Sequence, residues 1–327
     1  MAEQLQRGHN TLPGIWTAVA PSSMGGVDYK LHVNLINDLI VGYMVGAAPN
    51  TSHTISLPLK GAIDPKPRPD AGPHGGYALG WTVAGRAEPA LVFSTTAFNA
   101  QYFPGGGRGE DDRIVGQWVV AASTAPANAW ESPNVGSVVF QRARPGVAEL
   151  ETETEPLPVG PPAGASPGLE DTRLEGTWYN ELGSHMTLSL GPNDTLGGVY
   201  NSKVGDVFAE YPLWGGFYRY SPAGAGVALG WAVAWENAEH GDTHSASTWA
   251  GQAFFGARPE DDLITTRWLL GVSTAPEKIW AATMLGGDVF TRRAPTAAVA
   301  AAASAGAAGS HPSIEQIIKK GKAVAQL

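Results

Sequence analysis

The sequence predicts two consecutive domains of the antiparallel all-β class, each a sandwich or an up-and-down barrel. Two observations carry this. First, the 327-residue chain repeats itself. "ALGWTVA" at 78–84 returns as "ALGWAVA" at 228–234, and "EDDRIVGQWVVAASTAPANAW" at 110–130 returns as "EDDLITTRWLLGVSTAPEKIW" at 260–280, both 150 residues on. Units of this size are too long for solenoid repeats, so each is a domain. Second, apolar and aromatic residues alternate in short runs broken by Gly, Pro, Asn and Asp. No 3.6-residue period persists inside either unit.

Along the chain, 1–11 reads as a flexible N-terminus and 12–143 as the first domain. Trp16 and Tyr43 match Trp178 and Tyr200 at offsets of 162 and 157, so the early loops of the two units differ in length. Residues 144–173 are the expected linker. Glu149, Glu151, Glu153 and Glu155 alternate there ahead of a Pro/Gly-rich stretch, and like charges with proline favour a solvated, semi-extended chain. The second domain spans 174–293, with "MTLSL", "LGGVY", "ALGWAVAW" and "TTRWLLGVS" as strand-like runs. The tail, 294–327, opens with a low-complexity Ala run at 296–309 and closes with "PSIEQIIKK". Ser313 and Gln316 suit a capping box, Ile314, Ile317 and Ile318 share a face, and Lys319 and Lys320 suit a helix C-terminus. A short helix is one reading and a frayed end the other.

Composition excludes several functions. The formal charge of −9, without a Lys/Arg-rich patch, argues against a nucleic-acid partner. With no cysteine there is neither disulfide nor thiolate metal site. No run approaches the ~18 apolar residues of a membrane span. The start "MAEQLQRGHN" has no apolar core of a signal peptide, so a cytoplasmic location is expected over a secreted one.

One strand poses a question. In "THSASTWAGQ" (243–252), Ser245, Ser247 and Trp249 share one face, and His244, Ala246 and Thr248 the other. Two hydroxyls beside an indole make a poor core face, because buried polar atoms need partners. In the first unit "VFSTTAFNAQ" (92–101) keeps the rhythm with Phe98 for the indole.

Set in order, "GTWYNELGS" (176–184), "GVYNSKVGD" (198–206), "ALGWAVAWEN" (228–237), "HSASTWAGQ" (244–252), "RWLL" (267–270) and "IWAATMLGGDVF" (279–290) resemble the avidin/streptavidin family closely. The likeness covers about 174–293. The first unit resembles a divergent copy. The resemblance implies tandem eight-stranded antiparallel up-and-down barrels, with biotin bound non-covalently at one open end and no other cofactor. It also implies homo-oligomers, or a pseudo-tetramer of barrels, in which a Trp from a neighbouring barrel closes the pocket. Trp130 and Trp280 match that lid.

Carried over residue by residue, Asn180, Ser184 and Tyr200 match the family's donors to the ureido oxygen, and Asp288 and Ser202 the acceptors of its N–H groups. Clustered donors polarise a carbonyl as an oxyanion hole does, and a carboxylate makes a strong charge-assisted bond. Trp235, Trp249 and Trp268 match the lining indoles, with Leu182 and Leu270 filling the wall. Ser245 matches the hydroxyl that meets the biotin carboxylate. Ser247, where streptavidin-type members carry Thr, stands near the sulfur. Val204 and Asp206 fall in the lid segment 201–209. Asp206 replaces an Asn, and its charge would repel the ligand's own.

In the first unit the same alignment puts Ala18 at Asn180, Ala20 at Leu182, Val138 at Asp288, Gly85 at Trp235 and Phe98 at Trp249, with Val45 near Ser202. Ser22, Tyr43, Ser94, Thr96 and Trp118 remain. Weak or absent biotin binding is expected, with Gly85 removing a whole wall; a different ligand, or a structural or protein-interaction role, is the alternative. If a first unit pairs with a second, Trp130 would cap the competent site. Catalysis is not expected. The "EDD" carboxylates at 110–112 and 260–262 look like solvated turns. Gly105, Gly106 and Gly107 form a turn and not a phosphate cradle. "HGDTH" (240–244) offers His240, Asp242 and His244 to a metal, with a surface loop as the preferred reading, so no metal site is expected.

Overall fold

A computed structural model describes residues 9–19, 28–47, 54–87, 92–105, 112–143, 171–203, 209–237 and 241–306. Sixteen strands close into two barrels. The first takes β1 (Gly14–Ala18), β2 (Asp28–Ile36), β3 (Leu39–Ala47), β4 (Thr54–Ile63), β5 (Tyr77–Ala87), β6 (Val92–Phe103), β7 (Arg113–Ala122) and β8 (Pro133–Arg142). The second takes β9 (Gly176–Asn180), β10 (His185–Gly191), β11 (Thr195–Asn201), β12 (Glu210–Phe217), β13 (Val227–Asn237), β14 (Gly241–Phe254), β15 (Leu263–Val272) and β16 (Thr283–Thr291). Each strand pairs antiparallel with its neighbours in sequence, and β8 and β16 return to β1 and β9. Full closure leaves no sheet edge. Left-handed Asn37 turns β2 into β3, and left-handed Asn193 and Asp194 turn β10 into β11, a conformation that Asn and Asp tolerate well.

Both barrels carry the same anchor. Trp16 Nε1 donates to Leu12 O at 3.0 Å, and Trp178 Nε1 to Leu174 O at 2.9 Å. A guanidinium covers each indole, Arg142 at 4.4 Å and Arg292 at 3.6 Å from the ring centre. The last acids of the "EDD" motifs belong to this anchor. Asp112 accepts from Arg142 at 2.6 Å, and Asp262, wholly buried, pairs with Arg173. The expectation of a solvated turn is therefore corrected for Asp262. Its charge tolerates burial because Arg173 and the Gly256 N–H meet it.

The expected linker overlaps the second barrel. Its residues 171–173 enter a 3-10 turn, Asp171–Leu174, which packs Leu174 inside; residues 144–170 lie outside the described part. The Ala run forms a helix, α1 (Ala297–Gly306), where the sequence reading saw only low complexity. Alanine's helix propensity, the highest of all residues, accounts for it. The helix expected at "PSIEQIIKK" falls outside the described residues. Among the described residues no helix is long and apolar enough to cross a membrane.

The two barrels dock within the chain, β4–β7 against β12–β15. Their outward faces are made of small residues there. A Cβ on Gly80 would sit 2.3 Å from Thr248 Cγ2, and one on Gly230 2.6 Å from Thr95 Cγ2, so glycine sets how closely the sheets approach. Ala97, Val119, Ala121, Ala250 and Leu269 form a core of their own in this seam. Matched bonds frame it. Gly76 N–H donates to Thr274 O and Gly226 N–H to Thr124 O, both at 2.9 Å. Gln101 Oε1 accepts from Thr274 N–H at 2.8 Å, and Gln252 Oε1 from Thr124 N–H at 2.6 Å. The pattern is pseudo-twofold.

Candidate functional site

The inward faces of the second barrel bring the predicted polar residues together. Asn180, Ser184, Tyr200, Ser202, Ser245, Ser247 and Asp288 are all buried, although they come from four separate stretches of chain. Asn180 ends β9, and its Oδ1 accepts the Leu182 N–H at 3.1 Å, shaping the turn into Ser184. Ser184 Oγ accepts the Lys203 N–H at 3.1 Å. Ser245 Oγ is 2.7 Å from Thr243 Oγ1.

Indoles enclose these groups. Trp249 Nε1 donates to Asp288 Oδ2 at 2.9 Å, and Trp235 Nε1 to Ser247 Oγ at 2.6 Å. Tyr200 stacks on Trp249 with ring centres 5.3 Å apart and meets Trp235 edge-on at 5.6 Å. Trp268 and Leu270 are wholly buried and Leu182 nearly so. The Trp268 Nε1 has no hydrogen-bond partner among the described residues. A buried polar interior of this kind suits a small, flat, hydrogen-bonding ligand held between aromatic walls.

Two contributors escaped the sequence reading. Tyr211 is buried edge-on to Trp235 at 5.0 Å, and burial pushes its hydroxyl up to about 12. Trp231 stacks on Trp249 at 5.6 Å. The alternation Tyr211, Leu213, Gly215, Phe217 along β12 was the available signal. Val204 and Asp206 lie outside the described residues, as does Ser22 in the first unit, and the same holds for the side chain of Trp280. Trp130 is 72% exposed, so within one chain it closes no pocket. Docking of the two units within one chain leaves the Trp130 side chain, on the Pro126–Glu131 turn, uncovered.

The first barrel's interior differs more than the alignment implied. The ladder pairs Leu31 with Met44 where Met186 pairs with Tyr200, so Met44 occupies the tyrosine position. A one-residue slip turns Tyr43 to the other face, where it stacks on His32 at 4.2 Å. Gly85 opens no wall either: a Cβ there would lie 2.3 Å from Leu57 Cδ2, so Leu57 fills the space that Trp235 takes in the second barrel. Phe98 stacks on Trp81 at 4.9 Å, and Val138 is buried at the Asp288 position. A cavity of about 490 Å³ opens outside both barrels, where Ser56, Lys60 and Thr82 face Asp194 and Arg219, away from the predicted residues.

Comparison with known proteins points to one family. The family model described as "Avidin family" matches residues 169–293. The chain is 30% identical over 125 residues to afifavidin of Afifella pfennigii, covering 36% of this chain and 68% of that relative. It is 30% identical over 136 residues to avidin-related protein 1 of Gallus gallus and 31% to avidin-related protein 7, covering 84% of each.

Proposed function

This chain belongs to the avidin family, and from that premise we propose that its second barrel binds biotin non-covalently and catalyses nothing. The observation that carries the reading is the burial of seven hydrogen-bonding side chains inside one barrel, against indoles. An ordinary core would leave such groups out.

The chemistry follows from the donor set. Asn180, Ser184 and Tyr200 converge on the ureido oxygen, polarising it so that its N–H groups become better donors. Asp288 and Ser202 accept hydrogen bonds from those N–H groups. Trp249 holds the Asp288 carboxylate at 2.9 Å, which fixes its orientation before ligand arrives. Ser247 faces the thioether, Ser245 the ligand carboxylate, and Trp235, Trp249 and Trp268 sandwich the ring system.

The first barrel lacks every counterpart of Asn180, Tyr200 and Asp288, and its interior is filled by Met44, Leu57 and Val138. Biotin in that space would leave its ureido N–H groups unpaired at about 1–3 kcal/mol each. The first barrel is therefore a structural partner, and each chain carries one site. Trp130, exposed in one chain, is available to cap a second chain's site in a pseudo-tetramer of barrels. Titration calorimetry with biotin tests the reading. One site per chain is expected, while two equal sites or no heat would overturn it. Native mass with and without biotin gives the chain count.

A further inference from the structure

The metal-ligand motif "HGDTH" gains a partner from the other half of the chain. Asp64, immediately after β4 of the first barrel, faces Asp242 and His244 on β14 of the second across the seam. One ligand atom from each residue lies within 4.8 Å of the other two. His244 Nδ1 is 3.1 Å from Asp242 Oδ2 and 3.9 Å from Asp64 Oδ2. Asp64 is wholly buried. Its Oδ1 accepts the Lys66 N–H at 2.9 Å, but its Oδ2 points into the cluster with no hydrogen-bond partner among the described residues. A buried carboxylate oxygen aimed at a second carboxylate is a poor arrangement unless something positive stands between them.

The neighbouring lysine and arginine do not fill that place. The Lys66 ammonium is taken by Glu236 at 3.0 Å and the Arg68 guanidinium by Asp70 at 2.8 Å.

We propose that Asp64, Asp242 and His244 form a binding site for a divalent transition cation of the zinc type, with one ligand from the first barrel and two from the second. One imidazole nitrogen and two carboxylate oxygens form a donor set suited to Zn²⁺, whereas Ca²⁺ wants roughly 6–8 oxygens. Tetrahedral bonds of about 2.0–2.2 Å place ligand atoms somewhat over 3 Å apart, so the cluster needs to contract by less than about 2 Å at its widest. Two carboxylates balance the ion's charge. The Asp242 and His244 side chains keep 16% and 18% exposure, which leaves an entry path and room for water as fourth ligand. His244 Nδ1, now also 3.1 Å from Lys66 O, exchanges that contact for the metal, and any proton that His244 or the two carboxyls carry leaves to solvent. Because the ligands are split between barrels, the ion would fasten the seam.

The test uses the full chain stripped with chelator and titrated with ZnCl2, followed by calorimetry and thermal unfolding. One zinc per chain and a raised unfolding temperature are expected. Loss of an outer-shell partner alone typically weakens metal binding about 10–100-fold, so Asp64→Asn and Asp242→Asn should each weaken it at least about tenfold and abolish the thermal shift. Should Asp64→Asn fail to fold, the partly exposed Asp242→Asn carries the test. Absence of zinc binding, as when the carboxyls merely share a proton, would overturn the proposal. So would zinc binding that both variants leave unchanged, as from surface histidines.

Discussion

Asn99 and Gly271 fit one another across the seam: a Cβ on Gly271 would sit 2.1 Å from Asn99 Oδ1. Asn99 Nδ2 reaches past it to Ala246 O at 2.8 Å. At the matched positions of the pseudo-twofold stand Ala250 and Ala121, so the seam is locally asymmetric. Gly271→Ala should cost about 1–3 kcal/mol by overpacking. Adding Asn99→Ala recreates the alanine pair and should recover most of that loss in thermal unfolding. A double variant no more stable than Gly271→Ala would refute the fit.

Asp288→Ala should weaken biotin binding by at least about 2 kcal/mol, roughly thirtyfold in Kd. The variant loses the charged acceptor and also strands the Trp249 N–H that it holds. Calorimetry on both proteins measures the difference, and an unchanged Kd would remove Asp288 from the site.

Grafting the carboxylate into the first barrel should fail. Val138→Asp puts a charge beside Phe98, which has no N–H to offer where Trp249 has one. A loss of about 3–5 kcal/mol in denaturant unfolding is expected, with no second biotin gained. A stable variant with two sites per chain would contradict this.

Trp130→Ala should leave unfolding within about 0.5 kcal/mol of the parent, since the side chain is exposed in the chain. If Trp130 caps a second chain's pocket, biotin should leave the variant faster. Equal dissociation rates would exclude the cap.

Much of this was legible because the second unit's pattern is dense: six motifs stand in order along it, and the repeat fixes the domain count. The first barrel was harder. Tyr43 looked equivalent to Tyr200, but a shortened loop hid a one-residue shift, and in a strand that shift exchanges inside for outside. Leu57 behind Gly85, and Asp64 beside His244, are contacts between positions far apart in sequence, and no local pattern encodes them. Asp262 looked solvated because Arg173, its partner, stood in what read as linker.

The seam between the barrels joins two halves of one polypeptide. Its association is therefore unimolecular, at an effective concentration set within the chain and independent of the amount of protein. Dilution that would separate two independent subunits leaves this pair together. The second barrel thus keeps the first against it at vanishing protein concentration.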